Sequence, residues 1–290
     1  MKREENTAYA YLRQSKKFPN IWCSGCGIGI VMGALIRTVD RMDLDKDDVA
    51  VVSGIGCTGR MPVYLDFNTM HTTHGRALAF ATGLKIAQPR LHIFVIMGDG
   101  DALAIGGNHF IHAARRNIDL TAIIVDNSTY GMTGGQYSPT TPLDSRATTA
   151  PYGNVEPPFP ICELAIAAGA SFVARTTVYH AIEMDRMFEQ AISKKGFSLV
   201  EVVSYCHTTF GRINRLGSAV DMMRTLKDNS ISQTAAQKLN PEERAGKIVR
   251  GILCDVERPD YLTRYEKVIQ RAQETSKKNR DVNEIVFKQD

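Results

Sequence analysis

The stretch IFVIMGDGDALAIGG, residues 93–107, decides how the rest of the chain is interpreted. A run of apolar residues ends abruptly at a glycine, and Asp99 and Asp101 follow with one glycine between them. A short apolar run bounded by turn residues is typical of a buried strand. The stretch therefore predicts a buried strand with two carboxylates at its exit.

Strands and helices alternate on both sides of this stretch. The predicted helices cover 28–42, 73–89 and 105–117, and the predicted strands begin at Val49 and cover 91–97 and 121–126. The alternation continues through ICELAIAAGA, SFVAR, HAIEMDRMFEQAISKK and SLVEVVSYC, which ends at Cys206. This order predicts an open, mainly parallel sheet with helices on both faces.

Two segments fall outside the alternation. Residues 131–160 are rich in Gly, Pro, Ser and Thr and predict a long loop at the carboxyl end of a strand, where α/β sheets bind ligands. Beyond Thr208 the sequence predicts isolated helices and polar connectors. We therefore expect a ligand-binding α/β domain over 1–207 and a C-terminal arm or tail over 208–290.

Composition argues against several other classes of protein. The net charge of +4 is small for 290 residues, and no long basic run precedes the C-terminal segment, so a nucleic-acid partner is not indicated. No window of about eighteen apolar residues occurs, and the start MKREENTAYAYLRQSKK is polar, so we expect neither a membrane span nor a secretory signal. The expected location is the cytoplasm, where six cysteines serve as ligands, catalysts or packing residues rather than as disulfide partners.

Asp99 and Asn127 follow two consecutive predicted strands. A right-handed crossover between such strands brings their carboxyl ends to one edge of the sheet. Their side chains and a backbone carbonyl in the turn after Asn127 are oxygen ligands suited to Mg²⁺, with positions left for water and phosphate oxygens. Nearby glycines and the next helix N-terminus favour an anion. The pattern predicts a magnesium site that holds a diphosphate, although an isolated GDG is also typical of a plain tight turn.

A nucleotide site of another kind is not supported. The segment CGIGIVMG, residues 26–33, lacks the glycine spacing of GxGxxG and follows no apolar strand, and GxxxxGK[ST] is absent from the sequence. Neither a dinucleotide fold nor a P-loop fold is therefore expected.

Four cysteines stand at positions that favour one shared site. Cys23 and Cys26 form a CxxC pair before the first helix, and Cys57 and Cys206 each follow a predicted strand. In a parallel sheet all of them would lie near the predicted magnesium site. Four thiolates fit either zinc or an iron–sulfur cluster, and the residues alone do not separate the two. The other two cysteines are expected to serve in packing.

Seven motifs, between Pro19 and Phe210, resemble those of one known family. They are CSGCG, GIGC, HTTHGRALAFATGLKIA, GDGDALAIGGNH, RRNIDLTAIIVDN, YGMTGGQYSPTTP and SYCHTTFG. The spacing of 28 residues from Asp99 to Asn127 is similar to that of the thiamine diphosphate motif. The chain resembles the beta subunit of a two-subunit 2-oxoacid:ferredoxin oxidoreductase. Its long-loop motif is most similar to 2-oxoglutarate-type members, with the pyruvate type as the alternative.

The resemblance implies thiamine diphosphate, Mg²⁺ and one [4Fe-4S] cluster. It implies that Asp99, Asn127 and the carbonyl of Thr129 bind Mg²⁺ and that the cluster ligands are Cys23, Cys26, Cys57 and Cys206. Thiamine contacts are implied for Ile55, Gly56, Cys57, Thr58, His74, Gly100, Asp101, Gly131 and Met132. His74 is also implied as a catalytic residue. The sequence alone is equally consistent with a hydrogen-bonded histidine that lies at the start of a helix and has no catalytic role.

The implied reaction is the coenzyme A-dependent oxidative decarboxylation of a 2-oxoacid, or the reverse reductive carboxylation. Electrons would pass through the cluster to ferredoxin. An obligate alpha subunit is implied, because thiamine requires a glutamate from a second α/β domain and only one such domain is visible here. Gly134 stands where some members have a lysine, which puts a substrate-binding lysine in doubt, and Arg146 is a candidate contact for a second substrate carboxylate.

Two other functions are weighed against this one. The first is a non-oxidative thiamine-dependent decarboxylase or synthase with a structural zinc site, which the four-cysteine set argues against. The second is a non-catalytic scaffold with a decayed cofactor site, which Asp99 and Asn127 argue against. Colour separates them, because an iron–sulfur protein is brown and bleaches on reduction, whereas a zinc protein is colourless.

Overall fold

The structure is a computed structural model that describes residues 7–16 and 19–286. The remaining parts of the polar start and of the C-terminal segment, residues 1–6, 17–18 and 287–290, lie outside the described residues. The helices are α1 (Ile28–Arg41), α2 (Ala77–Ala87), α3 (Gly107–Arg116), α4 (Ile161–Ala168), α5 (Ala181–Ser193), α6 (Ala219–Asn229), α7 (Gln233–Ala236), α8 (Pro241–Arg244) and α9 (Tyr261–Val286). The strands are β1 (Val49–Ser53), β2 (Asn68–His71), β3 (His92–Gly98), β4 (Thr121–Asp126), β5 (Phe172–Thr177), β6 (Ser198–Val203), β7 (Ser230–Ser232) and β8 (Ile248–Asp255).

The strands form one eight-stranded sheet with the order β2-β1-β3-β4-β6-β5-β8-β7. The strands from β2 to β5 in this order are parallel to their neighbours. β8 pairs antiparallel with β5, and β7 pairs parallel with β8. The prediction of an open, mainly parallel sheet is confirmed.

The core consists of two apolar clusters, one on each face of the sheet. Successive side chains of a strand point to opposite faces, so Phe94 and Ile96 of β3 pack on the side of α1 and α5. Ile93 and Val95 pack on the opposite side, against α2, α3 and α4. Because both faces are covered, the central strands are buried along nearly their whole length and their sequences are continuous apolar runs.

The segment after Thr208 differs from the sequence prediction. It contains β7 and β8, which extend the sheet, as well as helices. These strands are hard to predict because β8, with the sequence IVRGILCD, is only half-buried and includes Gly251 at φ 142. The sequence analysis also did not predict the edge strand β2, because this strand has only four residues and they are mostly exposed. The division of the chain at residue 207 stays a prediction.

The helix α9 is long but polar over most of its length. Its apolar side chains at Tyr265, Val268 and Ile269 are 42–55% exposed, and charged residues precede and follow them. No helix in the described part of the chain has both the length and the apolar character needed to cross a membrane.

Hydrogen exchange tests whether β8 belongs to the sheet. We expect the amides of β8 to exchange about as slowly as those of β5, because the two strands are hydrogen-bonded neighbours. Amides in the exposed part of α9 should exchange much faster. Mass spectrometry of peptides that cover the three segments gives the comparison, and rapid exchange of β8 would contradict the assigned pairing.

Candidate active site at the carboxyl edge of the sheet

A cleft opens where β1, β3 and β4 end. It is lined by Ile55, Gly56, Cys57, Thr58, His74, Gly98, Asp99, Gly100, Asp101, Asn127, Thr129, Tyr130, Gly131, Met132 and Thr133. Every residue that the family resemblance implies for magnesium or thiamine lies in this cleft. The structure therefore brings together residues up to about eighty positions apart in sequence, although their roles as ligands stay predictions.

Asp99 lies directly after β3 and is only 2% exposed. Its Oδ2 atom accepts hydrogen bonds from Ser138 Oγ at 2.5 Å and from Thr140 Oγ1 at 2.6 Å. Burial raises the pKa of Asp99, and the two hydroxyl donors act in the opposite direction. Sequence analysis did not identify these hydroxyls, although both lie in the quoted motif YGMTGGQYSPTTP.

Asn127 and Thr129 lie in the turn after β4, and both are buried. The Oδ1 atom of Asn127 has no hydrogen-bond partner among the described residues. An unsatisfied buried carbonyl oxygen is costly, so it indicates a missing donor or cation. The hydroxyl of Thr129 donates to the carbonyl of Gln136 at 2.9 Å, which fixes the turn. These donors fit the predicted magnesium ion.

The carboxylate of Asp101 joins three chain segments around the cleft. Its Oδ1 atom lies 2.5 Å from Nδ1 of His74 and accepts backbone hydrogen bonds from Gly75 at 2.7 Å and Ile55 at 3.3 Å. Because Nδ1 of His74 faces this carboxylate, its other ring nitrogen is left for a ligand in the cleft. Oδ2 of Asp101 has no hydrogen-bond partner among the described residues.

Two glycines allow the backbone to pack closely around the cleft. A Cβ atom on Gly54 would lie 1.9 Å from Oδ2 of Asp101, and one on Gly100 would lie 2.2 Å from Cε1 of Tyr130. The hydroxyl of Tyr130 donates to the carbonyl of Gly100 at 3.3 Å. Asp101 begins a single π-helical turn, Asp101–Ile105, which leads into the N-terminus of α3. The GDGD segment is therefore a compact turn at a helix N-terminus, as an anion site requires.

The four predicted cluster cysteines gather at one side of the cleft. Cys23 and Cys26 lie in the turn before α1, Cys57 lies after β1, and Cys206 lies after β6. The hydroxyl of Thr208 is 3.6 Å from the Sγ atom of Cys23 and 3.7 Å from that of Cys206. All six cysteines of the chain carry free thiols.

Hydrogen bonds from aromatic side chains fix the loops that carry these cysteines. Nε1 of Trp22 donates to the carbonyl of Cys57 at 2.8 Å, and the hydroxyl of Tyr205 donates to the carbonyl of Gly25 at 2.8 Å. The first bond joins the CxxC turn to the β1 exit, and the second joins it to the β6 exit. The relative positions of the four thiols are thus set by the fold.

The thiols are adjacent to the cleft and close enough to influence one another. Cys57 lines the cleft, and a Cβ atom on Gly131 would lie 3.2 Å from Sγ of Cys206. Burial raises the pKa of Cys26 to about 11, and the neighbouring thiols add to the increase. Burial and the neighbouring thiols also raise the pKa of Cys57. Binding of a cluster must therefore displace thiol protons.

The described residues contain no group of three or more Cys, His, Asp or Glu side chains placed to hold a single metal ion. Four thiolates suit either a zinc ion or a four-iron cluster, so the ligand set alone does not separate the two.

Arg146 does not lie in the cleft. Its side chain is exposed, and its backbone N–H and carbonyl form hydrogen bonds of 2.7 and 2.9 Å with the side chain of Asn214. The proposed contact between Arg146 and a substrate carboxylate therefore gains no support from this chain alone. Gly134 has φ 119 and open space at its Cβ position, so a longer side chain there is limited by backbone strain rather than by room.

Comparisons with known proteins identify related sequences and a related structure. Residues 54–202 match the model of the family described as thiamine pyrophosphate enzyme, C-terminal TPP binding domain. The chain is 50% identical to 2-oxoglutarate synthase subunit KorB of Methanocaldococcus jannaschii over 264 residues, 91% of this chain and 97% of that protein. It is 56% identical to the KorB subunit of Archaeoglobus fulgidus over 221 residues, 76% of this chain and 80% of that protein.

A solved structure is also similar to this chain. The 2-oxoglutarate:ferredoxin oxidoreductase of Magnetococcus marinus, determined with 2-oxoglutarate, coenzyme A and succinyl-CoA bound, is similar with a TM-score of 0.82 and 32% identity. The match covers 94% of this chain and 92% of that chain.

The fold and the cleft together define a thiamine diphosphate-binding enzyme domain. Within that class, the chain belongs to the KorB family, the beta subunits of 2-oxoglutarate:ferredoxin oxidoreductase. It is thus an oxidoreductase subunit, and the family expected from the sequence motifs is confirmed.

A pair of glycine variants tests the close packing of the GDGD turn. We expect Gly100→Ala to lower the free energy of unfolding by about 1–3 kcal/mol, because its Cβ would overlap the ring of Tyr130. Gly98→Ala is the matched control, since its Cβ would meet only Oγ1 of Thr58 at 3.7 Å, and a change within about 0.5 kcal/mol is expected. Urea unfolding without added cofactor measures both, and equal stabilities would contradict the described packing.

Proposed function

We propose that this chain binds thiamine diphosphate, Mg²⁺ and a [4Fe-4S] cluster and, together with an alpha subunit, oxidises 2-oxoglutarate in the cytoplasm. In the oxidative direction, 2-oxoglutarate, coenzyme A and two oxidised ferredoxins give succinyl-CoA, CO₂, two reduced ferredoxins and one proton. The reverse direction fixes CO₂. The single observation that carries the proposal is the cleft in which the magnesium and diphosphate residues adjoin the cysteine set through Cys57.

Asp99, Asn127 and the carbonyl of Thr129 would hold Mg²⁺ and, through it, the diphosphate. The unpartnered Oδ1 of Asn127 and the buried carboxylate of Asp99 are the oxygen donors that a hard cation requires. When bound, thiamine diphosphate supplies the nucleophilic carbon and the electron sink for decarboxylation. Gly98 and Gly100 line the cleft without side chains, so the backbone there can approach the anionic end of the cofactor closely.

His74 would act on the substrate from the wall of the cleft. Asp101 orients its ring through Nδ1, so the other nitrogen is available to exchange a proton or to donate to a substrate oxygen. His74 is the one cleft-lining residue with a cationic side-chain form among those that the structure describes. The second carboxylate of 2-oxoglutarate therefore needs further donors, and we propose that the alpha subunit supplies them.

Cys23, Cys26, Cys57 and Cys206 would hold the cluster. The cluster supplies a relay that accepts and passes on single electrons. Cys57 lines the cleft, whereas Cys23 is exposed, so the set spans the distance from the cofactor to the protein surface. An electron carrier such as ferredoxin would dock at the side of Cys23.

The alpha subunit is part of the proposal for a physical reason. The strands in the described part of the chain form a single sheet, and the cleft lies open at its edge. The glutamate that activates the aminopyrimidine ring would have to come from another α/β domain. We propose that residues 1–207 hold the cofactors and that, within the arm of residues 208–290, α9 rather than the sheet strands β7 and β8 contacts a neighbouring subunit.

Turnover of the purified complex with a viologen dye tests the function. With the alpha subunit, coenzyme A and Mg²⁺–thiamine diphosphate present, we expect faster dye reduction with 2-oxoglutarate than with pyruvate. The reconstituted beta chain alone should give no sustained turnover. Preference for pyruvate would favour the pyruvate-type alternative, and turnover by the isolated chain would refute the need for the partner.

Replacement of one cysteine tests the proposed cluster site. We expect Cys57→Ser to remove the visible absorbance of the anaerobically purified complex, because one of the four thiolates that bind the cluster is lost. The rate of dye reduction should fall to a small fraction of that of the unaltered complex. Cys254→Ala is the matched control, since Cys254 packs in β8 outside the set, and should keep the colour. A Cys57→Ser protein with normal iron content and absorbance would overturn the ligand assignment.

A further inference from the structure

One oxygen of Asp99 is occupied by the protein itself. Ser138 Oγ and Thr140 Oγ1 both donate to Oδ2, and they come from the long loop 39 and 41 residues further along the chain. A carboxylate oxygen has two lone pairs, so two hydroxyl donors satisfy the hydrogen-bonding capacity of Oδ2. The other oxygen of Asp99 is then the one left to a cation.

These hydroxyls are held firmly in place. Ser138, Thr140 and Thr141 are all at most 4% exposed. The hydroxyl of Thr141 accepts from the backbone N–H of Ser138 at 2.8 Å and donates to the carbonyl of Ser128 at 2.8 Å. The amide of Asn154 donates to the carbonyl of Thr141 at 2.8 Å, which connects the two halves of the loop. The loop is thus braced against the turn that carries the other magnesium donors.

We propose that Ser138 and Thr140 are positioning residues that make Asp99 a one-oxygen ligand and thereby select Mg²⁺ over Ca²⁺. The proposal rests on the proposed magnesium site at Asp99. Mg²⁺ requires near-octahedral geometry with short bonds, which single oxygens from each ligand satisfy. Ca²⁺ accepts more oxygens and often binds both oxygens of one carboxylate, which the two hydroxyls prevent here.

Thr140 also couples this carboxylate to a second one. Its Oγ1 lies 2.6 Å from Oδ2 of Asp99 and 2.8 Å from Oδ1 of Asp126, the residue before Asn127, so its single hydrogen is shared between two carboxylates. One hydroxyl therefore contacts both strand ends that supply the magnesium donors. Loss of this hydroxyl should loosen Asp99 relative to Asn127, so the distance between the two metal donors would no longer be fixed.

The test measures metal selectivity in the purified complex. Metal and thiamine diphosphate are removed by chelation and dialysis, and Mg²⁺ or Ca²⁺ is then titrated at saturating thiamine diphosphate while retained cofactor is quantified. We expect Thr140→Val and Ser138→Ala to weaken Mg²⁺ about 10–100-fold, as loss of a hydrogen bond to a metal ligand typically does. The apparent affinity for Ca²⁺ should stay the same or increase, so the Mg²⁺/Ca²⁺ ratio falls at least about 10-fold.

The controls separate a positioning role from a purely structural one. Thr140→Ser keeps the hydroxyl and should keep the selectivity. Thr149→Val removes a loop hydroxyl that contacts only the backbone of Tyr137 and should behave like the unaltered protein. The visible absorbance of the cluster and the circular dichroism spectrum verify that each variant is folded. The two hydroxyls lie 3.2 Å apart, but they are replaced in separate variants, so a variant that fails to fold leaves the other to test the proposal.

Three outcomes would be decisive. A lower ratio in Thr140→Val or Ser138→Ala, restored in Thr140→Ser, supports the proposal. Parallel losses of Mg²⁺ and Ca²⁺ affinity, or no change in either, overturn it. Asp99→Ala examines the proposed function separately: it should abolish cofactor retention with both metals, and normal retention would refute the metal site itself rather than the role of the loop.

Discussion

Parallel pairing of β1, β3, β4 and β6 is the constraint on which the whole site depends. Parallel neighbours all end at the same edge of a sheet, so the residues that follow them meet there. Cys57, Asp99, Asn127 and Cys206 each follow a different one of these strands. An antiparallel arrangement of any of the four would move its residue to the opposite edge. The residues of the site are therefore far apart in the sequence but close together in the folded chain.

The central part of the fold could be predicted because its physical signal is strong. Strands that are buried on both faces must be apolar throughout, and β3 and β4 show this directly in their sequences. The sheet edges carry a weaker signal. β2 is exposed and short, and β8 mixes apolar residues with Arg250 and a glycine, so neither pattern separates a strand from a loop. Tertiary pairing with β5, rather than local preference, makes β8 a strand.

Site residues could be predicted where a known motif falls at the end of a predicted strand. They could not be predicted where a residue acts through a partner that is distant in the sequence. Asp99 and Asn127 could be found because their spacing contains one complete crossover. The hydroxyls that brace Asp99 could not, since Ser138 and Thr140 lie in a loop with no periodic pattern. A loop rich in Ser and Thr usually indicates solvent exposure, whereas here Ser138, Thr140 and Thr141 are buried. Only the folded path of the loop gives these residues their partner.

The cysteine set lies directly beside the cleft, and this closeness has a consequence for electron transfer. Cys57 belongs to both, and the backbone of Gly131 separates the cleft from Cys206 without any intervening side chain. Because no bulky side chain stands between the two proposed cofactor sites, the structure would favour direct electron transfer between the cofactors once both are bound.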